Sequence, residues 1–374
     1  MYEISEVVSK KDLREFVKFP DRLYKDCPQY VPALHSDQIR SLTKVSTLSY
    51  CKRRMWLVRK DGKVAGRICG MINPRYNERY GTKRARFGWF DTIEDLEVAK
   101  LLIGTAEEWA LSEGMEDIHG PLYYNTLGKQ GMLVEGFENT PPFNCLYNYP
   151  YYNDFVAALG YEKECDWLQY VMVANHGVPD KTRRVAKLIM ERYNLHFGSI
   201  DKLKKDPEQV RNFFRIYNES FSATVHNFIP FTDEEIEEEA ESIMPYVSDR
   251  LCDIVLDEND NLVAFGINLP SISKALQKAR GHLFPFGWFH LMRAMHNYET
   301  IDMMINGATP KWQNTGVSAV YYKDISDRFL EYGSRRAISN PQMESNSAVN
   351  IWNCYEHELF MRRRCYIKRL KKLF

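Results

Sequence analysis

Apolar positions along the chain switch between a period of two and a period near 3.6, and they do so twice in the same order. The strand-like run Ile4 to Val8 precedes the helical set Leu13, Phe16 and Val17; in the second half, His196 to Ile200 precedes Val210, Phe213, Phe214 and Tyr217. The second of these helices opens at Asp206 with Pro207 in its first position. The next opens with Thr232 and Glu235, a capping box ahead of Ile236, Ala240 and Ile243. A hairpin follows in each half. Trp56 to Arg59 turns at Asp61-Gly62 into Val64 to Ile68, and Asp253 to Leu256 turns around Asn259 to Asn261 into Leu262 to Gly266. Those turn residues supply the positive φ of tight hairpins. Each half then predicts a strand, a long helix and another strand. The first long helix puts Leu96, Ala99, Leu102, Ile103, Ala106, Trp109 and Ala110 on one face and stops near Gly114; the second puts Val317, Val320, Tyr321, Ile325 and Phe329 on one face and stops near Gly333.

The junction into the second long helix carries the chemistry. The strand Ile301 to Pro310 passes through Lys311-Trp312-Gln313-Asn314-Thr315-Gly316-Val317-Ser318 directly into the helix. Such a junction leaves several N–H groups unpaired at a helix start, with glycine where a side chain would block approach, and a concavity of this kind holds a pyrophosphate. A diphosphate-bearing cofactor is the predicted ligand. The matching stretch of the first half, Asp91-Thr92-Ile93-Glu94-Asp95-Leu96-Glu97, has four carboxylates and no glycine. Like charges repel a diphosphate there, whereas the same carboxylates complement the helix dipole without any ligand. The first half is therefore not expected to bind such a cofactor in the usual way.

Length and composition set the class. A chain of 374 residues exceeds what one core usually serves, so two domains are expected, spanning 1–175 and 190–374. Hydrophobic residues at 44% and charged residues at 27% describe an ordinary globular protein, and fifty basic against fifty acidic residues argues against a nucleic-acid partner. The amino terminus lacks a secretion signal and no window is long enough to span a bilayer, so a cytoplasmic protein without a membrane partner is expected. The eight cysteines form no C-x-x-C pair and the nine histidines do not cluster with them, so no metal is expected.

Gln313, Gly316 and Ser318 resemble the Q/R-x-x-G-x-G/A signature of the GNAT superfamily of acyl-coenzyme A N-acyltransferases, with serine in place of the last small residue. The doubled element order is similar to that fold run twice. Longer phrases, among them Phe87-Gly88-Trp89-Phe90-Asp91, His119-Gly120-Pro121-Leu122 and Tyr147-Asn148-Tyr149-Pro150-Tyr151-Tyr152, resemble bacterial tandem GNAT proteins over nearly the whole chain. The resemblance implies an α+β protein of two tandem GNAT folds, each a mixed, mainly antiparallel twisted sheet flanked by helices. It also implies acetyl-CoA or another acyl-CoA as co-substrate, held by Ala308, Gln313, Asn314, Thr315, Gly316, Val317, Ser318 and Asn346, and a small-molecule amine as acceptor. Reaction is expected where the fourth and fifth strands, Ile301 to Pro310 and Arg336 to Asn340, splay apart near Asn306, Ala308 and Glu344.

Acylation of an amine needs a path for the amine proton and donors that polarise the thioester carbonyl. Glu344 is the candidate base. The family's leaving-group tyrosine would fall at Asn353, and Tyr355, two residues later, is the candidate acid. Two alternatives to an N-acyltransferase stand beside it: a non-catalytic tandem binding or scaffold protein, and a transferase fed by aminoacyl-tRNA. Of the remaining runs, Asp233 to Glu241 reads as a solvated helix face and Arg362-Arg363-Arg364 as part of a basic closing strand. Phe284-Pro285-Phe286-Gly287-Trp288-Phe289 reads chiefly as core packing, with an apolar substrate groove as its alternative.

Overall fold

A computed structural model describes residues 1–225, 227–346, 352 and 355–371. The first half runs β1 (Tyr2–Glu6), α1 (Lys10–Leu23), α2 (His35–Thr43), β2 (Lys52–Lys60), β3 (Lys63–Ile72), α3 (Pro74–Tyr80), β4 (Arg84–Thr92), α4 (Leu96–Ser112), β5 (Asp117–Gly120), β6 (Met132–Glu135), α5 (Tyr151–Ala158) and β7 (Glu162–Val173). The second runs α6 (Asp180–Tyr193), β8 (His196–Phe197), α7 (Ile200–Leu203), α8 (Pro207–Thr224), α9 (Asp233–Ile243), β9 (Cys252–Leu256), β10 (Leu262–Pro270), α10 (Ser273–Ala279), α11 (Gly287–Ala294), β11 (Thr300–Ala308), α12 (Ser318–Glu331), β12 (Arg336–Ser339), β13 (Gln342–Met343) and β14 (His357–Arg369).

Local chemistry fixes these boundaries. Ser9 and Asp12 form a capping box at α1, and Thr232 and Glu235 form the one anticipated at α9. Asp206 accepts from the N–H of Glu208 at 2.9 Å, with Pro207 beginning α8. The β2–β3 turn places Asp61 and Gly62 at φ +50° and +77°.

The chain packs as two units, and they are not two contiguous halves. Unit 1 comprises Met1–Leu168, Ile272–Leu291 and Met361–Phe374; unit 2 comprises Gln169–Ser271 and Met292–Phe360. Relative to the division at 1–175 and 190–374, the segments 272–291, 361–374 and 169–175 change sides. Pairing explains the second of these: in unit 1, β1, β2, β3 and β4 are antiparallel, β5 joins β4 in parallel, and β14 closes against β5 with Tyr366 opposite Gly120. Unit 2 repeats the plan with β8, β9, β10 and β11 antiparallel and β12 parallel to β11. Its closing strand is the end of β7, with Arg336 opposite Val173.

Each sheet is covered by helices. In unit 1, Val98, Ala99, Leu102, Ile103, Ala106, Trp109 and Ala110 of α4 bury against Trp56, Val58, Ile68 and Phe87. Leu96, expected on that face, is exposed because it opens the first turn, and Val98 takes its place. The other face buries Phe16, Val17, Leu42, Leu57 and Trp89. In unit 2, Val320, Tyr321, Ile325 and Phe329 of α12 pack with Ala186 of α6 and with Val255, Val263 and Met303. The basic closing strand is partnered in place: Arg364 grips Asp166 through two bonds of 2.8 and 3.0 Å, and Arg363, fully buried, donates to Leu146 O. The aromatic run departs from expectation. Phe284, Phe286, Trp288 and Phe289 are exposed and join no core among the described residues.

Candidate functional site

β11 delivers the chain to Ala308, a short 3₁₀ turn follows at Pro310–Trp312, and α12 begins with Val317 in its capping position. Valine has no side-chain acceptor, so no side-chain cap forms. Asn314 and Gly316 take φ of +62° and +86°. Left-handed residues interspersed in a turn point successive N–H groups to one side, the geometry of an anion nest. Among the described residues, the N–H groups of Gly316, Val317 and Ser318 have no intramolecular acceptor. They meet the positive end of the α12 dipole. Gly316 is exposed, and a Cβ there would find nothing closer than Val185 Cγ1 at 3.8 Å and Ile189 Cδ1 at 3.9 Å. The glycine is dictated by its φ, and the space where a Cβ would stand is not filled.

The rest of the turn is braced. Gln313 Nε2 donates to Ser220 O at 3.2 Å and to Ala308 O at 3.0 Å, tying the turn to α8 and to the end of β11. Thr315 Oγ1 donates to Trp312 O at 2.6 Å. Both side chains are thus committed to holding the loop, leaving main-chain amides for a ligand.

Beside this turn the sheet opens. β11 and β12 pair only from Thr300 with Arg336 to Met303 with Ser339, after which β11 continues against β10 alone. The β10–β11 ladder slips where Met303 faces Asn268 and Ile305 faces Ile267, so Met304 is an extra, bulged residue; a bulge leaves one residue out of the ladder and re-aims its amide. Tyr321 of α12 donates to Asn306 Oδ1 at 3.0 Å, fixing helix to strand beyond the divergence. Asp302 lies within the paired part and is 1% exposed, with no hydrogen bond of normal geometry to either oxygen among the described residues. Burial pushes its carboxyl up to about 7, opposed by Ser271 nearby.

The corresponding helix start in unit 1 is closed. Asp95 caps α4, its Oδ1 accepting from Glu97 N at 3.1 Å, while its Oδ2 takes Lys60 Nζ at 2.6 Å and Tyr2 Oη at 2.8 Å. A tethered carboxylate meets this helix start. The divergence of β4 and β5 is closed too: Leu122 N donates to Phe87 O at 2.9 Å, and a Cβ on Gly120 would fall 2.3 Å from that oxygen. Trp89 stacks on Tyr123 at 3.6 Å. Deeper in unit 1, Arg67 and Asp91 form a buried pair at 2.7 Å, and Asp91 also accepts from Tyr24 at 3.1 Å.

Among the described residues, one group of side chains, in unit 1, has metal-ligand chemistry. Donor atoms of His119, Glu164 and Cys365 lie within 4.8 Å of one another. Their own bonds already use them: His119 Nδ1 donates to Glu164 Oε2 at 2.8 Å, Cys365 Sγ to the same oxygen at 3.1 Å, and Arg84 to Glu164 Oε1 at 2.7 Å. Burial pulls His119 down to about 4, so it stands there as a neutral donor. An arginine on the only carboxylate makes this a poor cation site. In unit 2, an open cavity of about 790 Å³ is lined by Arg293, His296, Tyr298, Glu299, Tyr332 and Arg335. It lies at the far end of α12 from Gly316, roughly 20 Å away at 1.5 Å per helical residue, and is not the nest.

Known proteins with this architecture decide its class. Over 100% of both chains, the structure is similar to a tandem GNAT protein from the clavulanic acid biosynthesis pathway, with a TM-score of 0.60 at 11% identity. The chain has the tandem GNAT fold. A GCN5-related N-acetyltransferase from Sphaerobacter thermophilus shares the fold over 99% of this chain and 96% of its own, with a TM-score of 0.55 at 10% identity. By sequence, the chain is 29% identical over 377 residues to Protein YghO of Escherichia coli (strain K12), covering 97% of this chain and 94% of that one. It is 26% identical over 293 residues to the bacterial ceramide synthase of Caulobacter vibrioides (strain NA1000 / CB15N), covering 76% of this chain and 74% of that protein. No protein-family model matches.

Within the GNAT frame, the anticipated site residues separate. Ala308, Gln313, Asn314, Thr315, Gly316, Val317 and Ser318 form one continuous turn, with Ala308 serving through its carbonyl as an anchor for Gln313. Glu344 is exposed in the turn after β13, and the Asn346 N–H bonds Met343 O at 2.9 Å. The Tyr355 ring lies 6.1 Å from that of Tyr322 and 6.3 Å from that of Trp352, which places it on the α12 side of unit 2. Asn353 lies outside the described residues. Sequence reasoning passed over the Tyr321–Asn306 bond and the buried Asp302. The available signal was polar residues at two positions of an otherwise apolar strand.

Proposed function

We propose that this protein is an N-acyltransferase whose unit 2 holds an acyl-coenzyme A at the start of α12 and transfers its acyl group to an amine. The observation that carries the reading is the run of three successive N–H groups, at Gly316, Val317 and Ser318, without an acceptor among the described residues and beside strands that part after Met303. A diphosphate fits those donors: it brings acceptors only, and the helix dipole favours its charge. The acyl-CoA supplies the activated thioester. The residues of this chain anchor the phosphates, expose the wedge between β11 and β12, and present a bulged strand amide near the reacting carbonyl.

In the transfer, the amine nitrogen bonds to the thioester carbon, the carbon–sulfur bond breaks, and coenzyme A leaves as thiol. Glu344 is assigned the amine proton and Tyr355 the protonation of the leaving thiolate. Unit 1, with Asp95 capping α4, is assigned no cofactor. The relative named a ceramide synthase supports a class for the acceptor. A ceramide is an amide at the nitrogen of a long-chain amine, so the acceptor inferred here is a lipid amine.

The test is titration calorimetry with acetyl- and long-chain acyl-CoA, followed by thiol release with short amines and with a long-chain amino alcohol. Binding plus thiol release with the long-chain amine is expected. Calorimetry silent toward every thioester refutes the reading, and binding without thiol release from any amine replaces it with a non-catalytic role.

A further inference from the structure

The connection between β10 and β11 runs from residue 271 to 299, whereas the equivalent connection of the first half, between β3 and β4, runs only from 73 to 83. The longer one carries the exposed aromatic run. Phe284 and Phe286 are 74% and 72% exposed, Phe289 and Trp288 52% and 47%, and Leu283 joins them. Soluble proteins rarely leave so many large apolar side chains together in water without a use for them.

The segment is built rather than loose. At its base, α10 buries Ala275, Leu276 and Ala279, Ser273 Oγ donates to Pro141 O at 2.9 Å, and Gln277 Nε2 donates to Pro28 O at 2.7 Å. His35 N donates to Gly281 O at 2.9 Å, and the His35 and His282 rings pack edge to face at 4.6 Å. The tip is folded on itself: Trp288 Nε1 donates to Pro285 O at 2.9 Å and Trp288 N to Leu283 O at 2.8 Å. Gly287 makes the bend, since a Cβ there would fall 2.0 Å from His282 O. A rigid base and a fixed tip hold the aromatic rings out while no described residue covers them.

Charge identifies what does. Lys274, Lys278 and Arg280 are exposed on the same segment of unit 1, and no aspartate or glutamate occurs from residue 271 to 298. Phenylalanine and tryptophan beside lysine and arginine match the two layers of a bilayer interface, rings at the acyl boundary and cations among anionic headgroups. No helix among the described residues is long and apolar enough to cross a membrane, so the match is to its surface. We propose that the Leu283–Phe289 tip docks this protein peripherally on anionic lipid bilayers, with Lys274, Lys278 and Arg280 on the headgroups. This replaces the expectation of no membrane partner. It rests on the segment itself and not on the acyl-transfer reading.

The test is co-sedimentation of the full chain, without any thioester, with vesicles of phosphatidylcholine alone or mixed with phosphatidylglycerol. The protein is expected to pellet with the anionic vesicles. F284S/F286S is expected to lower partitioning at least about tenfold on both compositions, and K274E/K278E/R280E to lose about fivefold per residue on the anionic vesicles only. These side chains are exposed, and unchanged thermal melts verify that each variant is folded. Protein left in the supernatant with both vesicles, or F284S/F286S pelleting like the native chain, overturns the proposal. So does a native dimer in sedimentation velocity that F284S/F286S dissolves, because the tip would then bind a second copy of this chain.

Discussion

Replacing Gly316 by alanine separates the two jobs assigned to that glycine. Its φ of +86° is unfavourable for any residue with a Cβ, at a cost of about 1–2 kcal/mol. Packing adds little, because the nearest atoms to the new methyl are 3.8 and 3.9 Å away. At about 2–4 °C per kcal/mol for a unit of this size, the melting temperature should fall by a few degrees. Any relaxation of that φ also turns the Gly316 and Val317 amides away from their common direction. Losing one or two charge-assisted hydrogen bonds, each about 1.5–3 kcal/mol, weakens binding roughly 10- to 100-fold or more. An acyl-CoA at 100 times its dissociation constant stabilises the native chain by about 2.7 kcal/mol; for the variant that falls to about 1.4 kcal/mol or less. Paired melts with and without acyl-CoA measure both effects. The control is Asp95→Ala, which removes a helix cap at about 1 kcal/mol and should leave the ligand-induced shift intact. A G316A protein with the native ligand-induced shift, or a D95A protein that loses it, refutes the assignment of phosphate binding to the start of α12.

The remaining expectations concern stability. Asp302 has its carboxyl raised by burial from 3.8 to about 7, so between those values the folded state holds a proton that the unfolded state has lost. Its contribution therefore favours folding at low pH and is lost as pH rises through 7, by roughly 2–4 kcal/mol. Urea midpoints from pH 4 to 8 should show Asp302→Asn with a flatter decline than the native chain, and parallel curves would contradict the buried placement. Arg67→Met should cost about 3–5 kcal/mol by stranding Asp91 in the core of unit 1, with much of the loss recovered in R67M/D91L. A double variant no more stable than the single one argues against a simple ion pair. Tyr321→Phe should cost about 1 kcal/mol through its bond to Asn306, read by chemical denaturation.

The elements that could be read from sequence are those whose stop and start signals are local. Asp206 with Pro207, Thr232 with Glu235, and Asp61 with Gly62 each satisfy or bend the main chain within a few residues, so their geometry follows from neighbours in the sequence. The turn at Gly316 was legible for the same reason: a glycine between a strand and an apolar-periodic helix marks a main-chain bend, here at φ +86°. What depends on distant partners was not. Gln313 belongs to a cofactor signature by spacing, yet its amide reaches Ser220, a partner 93 positions away. Arg363 sits in a run of three arginines, and only strand alternation against β6 decides that it points inward. An aromatic cluster such as Phe284 to Phe289 has the composition of a core and too few residues to show a period. Its exposure follows from the bend at Gly287 and the anchor at Gly281, and neither is a local propensity.

The two helix starts differ in what meets their main-chain amides, and on the proposed reading only the one in unit 2 is left for a cofactor. A phosphate nest is a strain on the apo protein, because unpaired amides at a helix end forgo hydrogen bonds that a side chain can supply. In unit 1, Asp95 supplies one to Glu97 N while its other oxygen holds Lys60 and Tyr2, so removing it would forfeit a cap and an ion pair together. In unit 2 the capping residue is Val317, which cannot compete for those amides, and the turn is held instead by Gln313 and Thr315 bonding to carbonyls. That division of labour, with side chains on the carbonyls and nothing on the amides, is unfavourable for stability alone and becomes intelligible when an external anion completes it. It follows that Val317→Asp, which puts a carboxylate where a 2% exposed valine packs into the unit 2 core beside those amides, should lower the melting temperature of the free protein and abolish its response to acyl-CoA. A variant that is still responsive would show that the amides of Gly316 to Ser318 are not where the anion sits.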